Sequence, residues 1–105
     1  MARVDSMVYV LATKDFKFVK IGMTICPKER INNIQSACPF ELLLWLSVRT
    51  FRMREIESEL HSRFSKWRTR GEWFSLPAEQ LDELQDRIAE LNKMERDACT
   101  TSREI

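Results

Sequence analysis

The chain has 105 residues, 17 Lys and Arg against 16 Asp and Glu, and a formal net charge of +1. That length gives one domain burying about two-thirds of its unfolded surface, enough for a single two-layer core. No apolar run approaches the roughly 18 residues that span a bilayer, and no apolar stretch follows Arg3 and Asp5, so neither a membrane span nor a signal peptide is expected. Three widely spaced cysteines (Cys26, Cys38, Cys99) and a single histidine argue against a structural zinc site and for reduced thiols in the cytoplasm.

Met7 to Ala12 is apolar and β-branched, as in a buried strand. Lys14-Asp15 make a turn, and Phe16 to Ile21 alternate as a second strand of a hairpin, with Gly22 at its end where the backbone must turn. Pro27 and Glu29 suit the first turn of a helix whose Ile31 and Ile34 face the core, with Pro39 as its limit. Leu42 to Val48 alternate as a central strand with both faces partly covered.

From Arg52 to Trp67 the period turns helical, with Met53, Ile56, Leu60, Phe64 and Trp67 on one stripe. Glu57 and His61, four residues apart, border that stripe. Thr69 to Glu72 read as a loop and Trp73 to Leu76 as a short extended piece. Pro77 opens a last helix with Leu81, Leu84, Ile88, Leu91 and Met94 on one side. This stripe either packs on the sheet or joins two copies into a homodimer. Residues 97–105 lack apolar periodicity and read as a disordered tail after a domain spanning 1–96. The predicted fold is α+β: a small central antiparallel or mixed sheet flanked by helices, with a C-terminal amphipathic helix.

Tyr9, Arg30 and Glu57 stand on three separate predicted elements. A phenol, a cation and a carboxylate so held are the minimum for phosphodiester hydrolysis with one metal ion. Arginine offers a rigid fork to phosphate oxygens at any usable pH. Lys20 is either an edge charge or a group that holds a phosphate oxygen and takes up a proton. The run from 49 to 70 carries Arg49, Arg52, Arg54, Arg63, Lys66, Arg68 and Arg70, a basic patch on a chain otherwise near neutrality.

The order of these pieces resembles the GIY-YIG nuclease superfamily. Met7-Val8-Tyr9 or Val8-Tyr9-Val10 matches its first tripeptide through the tyrosine alone, and Lys20-Ile21-Gly22, followed by Met23-Thr24, matches the second. The Glu-x-x-Leu-His pattern from Glu57 to His61 and the segment Gly71-Glu72-Trp73-Phe74 are similar to a phage- and virus-associated branch of it. The resemblance covers residues 7–76 and implies an endonuclease acting on DNA. In it Glu57 is the sole protein ligand of Mg²⁺ or Mn²⁺, Arg30 neutralises developing charge, and Tyr9 with Lys20 positions the attacking water. His61 is then a partner of Glu57 or a phosphate donor, while Thr24, Arg54, Arg68 and Arg70 join Lys20 and Arg30 in holding DNA. Glu72 lies near a position where many superfamily members use asparagine, so it either orients the metal water or only caps the loop beside Trp73. The family's tyrosine or histidine one turn after the arginine is Ile34 here, which leaves open a second reading: a binding module without turnover, phage- or mobile-element-encoded, acting on DNA or on a protein partner.

Overall fold

The computed structural model describes residues 5–104. Strand β1 (Met7–Thr13) and strand β2 (Val19–Thr24) form the expected hairpin; helix α1 (Pro27–Ser36), strand β3 (Leu42–Arg49) and helix α2 (Met53–Arg63) follow. A 3₁₀ turn at Ser65–Trp67 leads into the short strands β4 (Arg68–Arg70) and β5 (Trp73–Phe74), and helix α3 (Ala78–Glu104) closes the chain. The sheet order is β3-β1-β2-β5-β4, and every neighbouring pair is antiparallel. The architecture is α+β, as the hydrophobic periodicity predicts.

Strand β1 lies inside the sheet, between β3 and β2. Its apolar run is buried on both faces, because side chains alternate across a strand. Val8, Val10 and Ala12 join Val19, Ile21, Ile56, Leu60, Phe64, Leu84, Ile88 and Leu91 in the core under α2 and α3. Met7, Tyr9 and Leu11 face the other way, covered by Ile31 and Ile34 of α1 and by Leu42. Helix α1 buries none of its own residues completely, so this second layer is thin. Gln35 ties it down, donating from Nε2 to Phe40 O at 2.9 Å and accepting Leu42 N–H at 2.8 Å.

The hairpin turn is built around Asp15, whose Oδ1 accepts from the Thr13 hydroxyl at 2.8 Å and from Lys17 N–H at 3.0 Å. Phe16 takes a left-handed conformation there, with φ of 58°. A bulky residue in that region is strained; the conformation delivers its ring edge-on to Trp45 at 5.0 Å.

Three expectations are corrected by the fold. Strand β3 is an edge, not the centre, and Trp45 is an extra residue opposite the Val10–Leu11 step. That bulge reverses the alternation: Leu46 and Val48 pack towards α2 and α3, whereas Leu42 lies against the Tyr9 cluster and Leu44 is 50% exposed. The stretch 69–72 is not wholly loop, because β4 pairs with β5 around a turn at Gly71, whose φ is +56°. Helix α3 continues past residue 96, where the disordered tail was expected to begin, to Glu104; no Gly or Pro interrupts 78–104, so nothing local ends it. Its leucine stripe is used within the chain, since Leu84, Ile88 and Leu91 are buried against the sheet, and nothing supports a homodimer through it. Residue 105 and the Cys99 side chain lie outside the described residues; Cys26 and Cys38 are free thiols. No described helix is long and apolar enough to cross a membrane.

Candidate active site

The site forms where β5 stops short. Strand β5 pairs with only Val19 and Lys20, so beyond them the edge of β2 is open. Ile21 meets other groups there: its N–H donates to Glu72 O at 3.0 Å, and its carbonyl lies 2.8 Å from His61 Nε2. A carbonyl can only accept, so Nε2 must carry the proton of that bond. The His61 ring also stands edge-on to Phe74 at 5.1 Å. Helix α2 is thus fastened to the open edge, and Glu57, one turn before His61, is held at the same margin of the sheet.

Tyr9 lies directly opposite Gly22 in the β1–β2 register. Gly22 is inside β2 rather than at a turn, and it does not have a positive φ. Its glycine answers a different need. A Cβ at residue 22 would stand 2.5 Å from Tyr9 Cζ, collide with Tyr9 Oη, and reach within 3.0 Å of Glu72 Oε1. The missing side chain is therefore the space that the phenol and the Glu72 carboxylate share. Lys20, two residues earlier on the same face, completes that side. Its ammonium is 3.2 Å from Glu72 Oε1 and 5.5 Å from the Trp73 ring centroid.

Among the described residues, the buried side-chain atoms without a hydrogen-bond partner are Tyr9 Oη, Glu57 Oε2 and Glu72 Oε1. Glu72 Oε1 does have its ion pair with Lys20, but not in hydrogen-bonding geometry. Buried oxygens rarely go unpaired, because each has given up its water. Three at one place mark a locus short of a partner. Burial raises the Tyr9 phenol above its ordinary pKa; Arg30 opposes this, and Glu72 and Glu57 add to it. Tyr9 is accordingly a neutral phenol at pH 7. Arg30, on the exposed side of α1, is close enough to the hydroxyl that each perturbs the other, although no hydrogen bond of ordinary geometry closes between them. Burial also raises the Glu57 carboxyl, with Glu72 adding repulsion, while His61, Lys20 and Arg54 oppose the shift.

The fold thus gathers Tyr9, Lys20, Arg30, Arg54, Glu57 and His61 around one locus. Thr24 follows on β2, where its Oγ1 accepts Cys26 N–H at 3.0 Å and turns the chain into α1. Arg68 and Arg70 are exposed on β4, the outer strand beside the site, and Arg68 donates from Nε to Gly71 O at 2.6 Å. Ile34 packs under Tyr9, so the position one turn after Arg30 offers no proton-handling group. Glu72 was underestimated from the sequence. Its signals in the sequence are its place before Trp73-Phe74 and its nearness to the superfamily's asparagine position, whereas its reach to Gly22 depends on β5 pairing with β2.

The donor chemistry fits a divalent cation: Glu57 Oε2 and Glu72 Oε1 are carboxylate oxygens shielded from water and without hydrogen-bond partners. No group of three or more His, Cys, Asp or Glu is placed to hold a metal among the described residues. An ion here would therefore complete its shell with water and phosphate, which Mg²⁺ readily does.

Residues 6–100 match the family described as the T5orf172 domain, which is associated with phage and bacterial nuclease-like proteins, GIY-YIG-related ones among them. The match is not to a specific GIY-YIG family. Searches of curated proteins and of solved structures returned no match.

Proposed function

Because the chain belongs to the T5orf172 domain family, we propose that it is a metal-dependent endonuclease hydrolysing DNA phosphodiesters in the manner of GIY-YIG enzymes. The observation carrying this reading is a set of three buried oxygens without hydrogen-bond partners: Tyr9 Oη and Glu72 Oε1 meet beside Gly22, and Glu57 Oε2 belongs to a carboxyl close enough to feel Glu72 and the phenol. Glu57 would hold Mg²⁺ or Mn²⁺, which supplies Lewis-acid polarisation of the phosphate and stabilises the leaving oxygen. The neutral Tyr9 phenol orients the attacking water by hydrogen bonding. Arg30, exposed and facing Tyr9, neutralises charge developing on the phosphate. His61 keeps α2, and with it Glu57, against the open edge of β2, and its Nδ1, the acceptor nitrogen of that tautomer, remains able to accept from a water. Arg54, Arg68 and Arg70 guide the DNA backbone.

Nicking of supercoiled plasmid with Mg²⁺ or Mn²⁺ is the test. Arg30→Ala and Glu57→Ala are each expected to lower the rate on the order of 100-fold or more. Glu57→Ala should hold or raise DNA affinity, since it removes a negative charge near phosphate, whereas Arg30→Ala weakens it. Ile34 favours a second reading, a module that binds DNA or a protein without turnover. Wild type that binds DNA but never nicks it with either ion would establish that alternative.

A further inference from the structure

Glu57 is not the site's only acid. Glu72 approaches the same locus from the β4–β5 turn, 15 residues further along the chain, and its backbone is fixed there by the Ile21 N–H bond. Its ion-pair partner is Lys20, whose side chain is only 13% exposed. That ion pair is unusual. At 3.2 Å it brings the charges together without giving Glu72 Oε1 a hydrogen bond, and the oxygen is shielded from water. A pair whose purpose was to hold Lys20 would be expected to complete that bond. The same oxygen lies beside the vacant Cβ space of Gly22, which the fully buried Tyr9 hydroxyl also borders without a partner. Lys20 has a second favourable neighbour in the Trp73 ring, so it need not leave its place when Glu72 turns elsewhere.

We propose that Glu72 is a second carboxylate ligand of the divalent ion held by Glu57, and that Lys20 acts as its placeholder cation when the ion is absent. The proposal rests on the metal-dependent reading above. A doubly charged ion would compensate both carboxylates, whereas Lys20 supplies a single charge to one of them. Entry of the ion releases the Lys20 ammonium from Glu72. Lys20 then remains on the Trp73 ring, with its charge free to meet a phosphate oxygen of the substrate.

Calorimetric titration of the full chain with Mn²⁺, without DNA, tests the proposal. Glu57→Gln should abolish binding, and Glu72→Gln should weaken it by about tenfold or more. Glu72→Asp keeps the charge but draws the carboxylate back, and it should weaken binding as well. Lys20→Met removes the competing cation and should tighten binding several-fold. Wild-type affinity in Glu72→Asp would reduce Glu72 to a through-space charge and overturn the ligand role. Unchanged affinity in Lys20→Met would overturn the placeholder role. Loss of binding in Glu57→Gln with none in Glu72→Gln would leave the metal-dependent reading intact and remove this proposal; no binding by wild type would remove both. Should Glu72→Gln fail to fold, the double variant Lys20→Met/Glu72→Gln, which deletes the pair together, is compared with Lys20→Met alone.

Discussion

Tyr9 has a hydroxyl that the fold does not use: it is buried without a hydrogen-bond partner. Removing an unpaired buried hydroxyl costs no native bond and relieves a desolvated one. Tyr9→Phe should therefore leave stability against urea equal or higher while lowering nicking on the order of 100-fold. A tyrosine serving structure alone would show the opposite pattern. Gly22→Ala should destabilise the protein by about 1–3 kcal/mol, because its methyl would meet the Tyr9 ring and a strand backbone cannot step aside cheaply. Urea denaturation at equilibrium reads this directly. For Glu57 the sign is set by its raised pKa, caused first by burial and then by Glu72. The unfolded chain releases this proton more readily than the folded one, so the contribution to stability is present below the ordinary value of 4.5 and is lost as pH rises through the folded value. Ionised Glu57 thus burdens the ion-free protein. In EDTA, Glu57→Gln should raise Tm at pH 7, and the difference should vanish in acid below pH 4.5.

The elements differ in how plainly the sequence displays them. The β1–β2 hairpin, α1 and the Ile56/Leu60/Phe64 stripe of α2 were legible because strand alternation and helical periodicity are local signals. Tyr9, Arg30 and Glu57 were legible through their spacing and family resemblance, and the fold does bring them together. The position of β3 was not legible. Its leucine run looks like a central strand, but one extra residue at Trp45 splits it between two faces, and bulges leave no mark in hydrophobic alternation. Strand β4 reads Arg-Thr-Arg with every residue exposed, so only its partner makes it a strand. The stripe on α3 was visible, but what it covers depends on tertiary packing. Leu84→Ala should cost about 2–5 kcal/mol by leaving a core cavity, without changing sedimentation. The α3 contact with β3 is reinforced by polar bonds: Asn92 Nδ2 donates to Ser47 O at 2.9 Å, and the buried Thr50 donates to Glu95 Oε2 at 3.1 Å. Thr50 Oγ1 also accepts Arg52 N–H at 3.0 Å just before α2. Thr50→Val loses both bonds at almost the same volume and should cost about 1–2 kcal/mol in thermal unfolding.

At the scale of the whole molecule, a net charge of +1 leaves little general attraction to DNA, so affinity must be concentrated in a patch. Half of the 16 acids lie on α3, including Glu79, Asp82, Glu83, Asp86 and Glu90, while Arg54, Arg68 and Arg70 lie on α2 and β4 around the site. Part of the acidic charge is neutralised internally. Arg87 binds both carboxylate oxygens of Glu59, at 2.7 and 2.8 Å, linking α3 to α2. The expected result is modest affinity that falls steeply with salt. Alanine at Arg54, Arg68 or Arg70 should weaken binding evenly across DNA sequences and reduce the slope of log K against log salt by about one each, as measured by fluorescence anisotropy.

The late position of β5 has a consequence for timing. During synthesis the emerging chain already holds Tyr9, Lys20, Arg30 and Glu57 before residue 72 exists, but the edge of β2 has nothing to receive it until the β4–β5 turn pairs with Val19, Lys20 and Ile21. The contact joins positions 50 residues apart, Gly22 and Glu72, a long-range pairing of the kind that carries a loop-closure cost. A chain ending before residue 72 would carry four of these side chains without the β5 pairing that borders them.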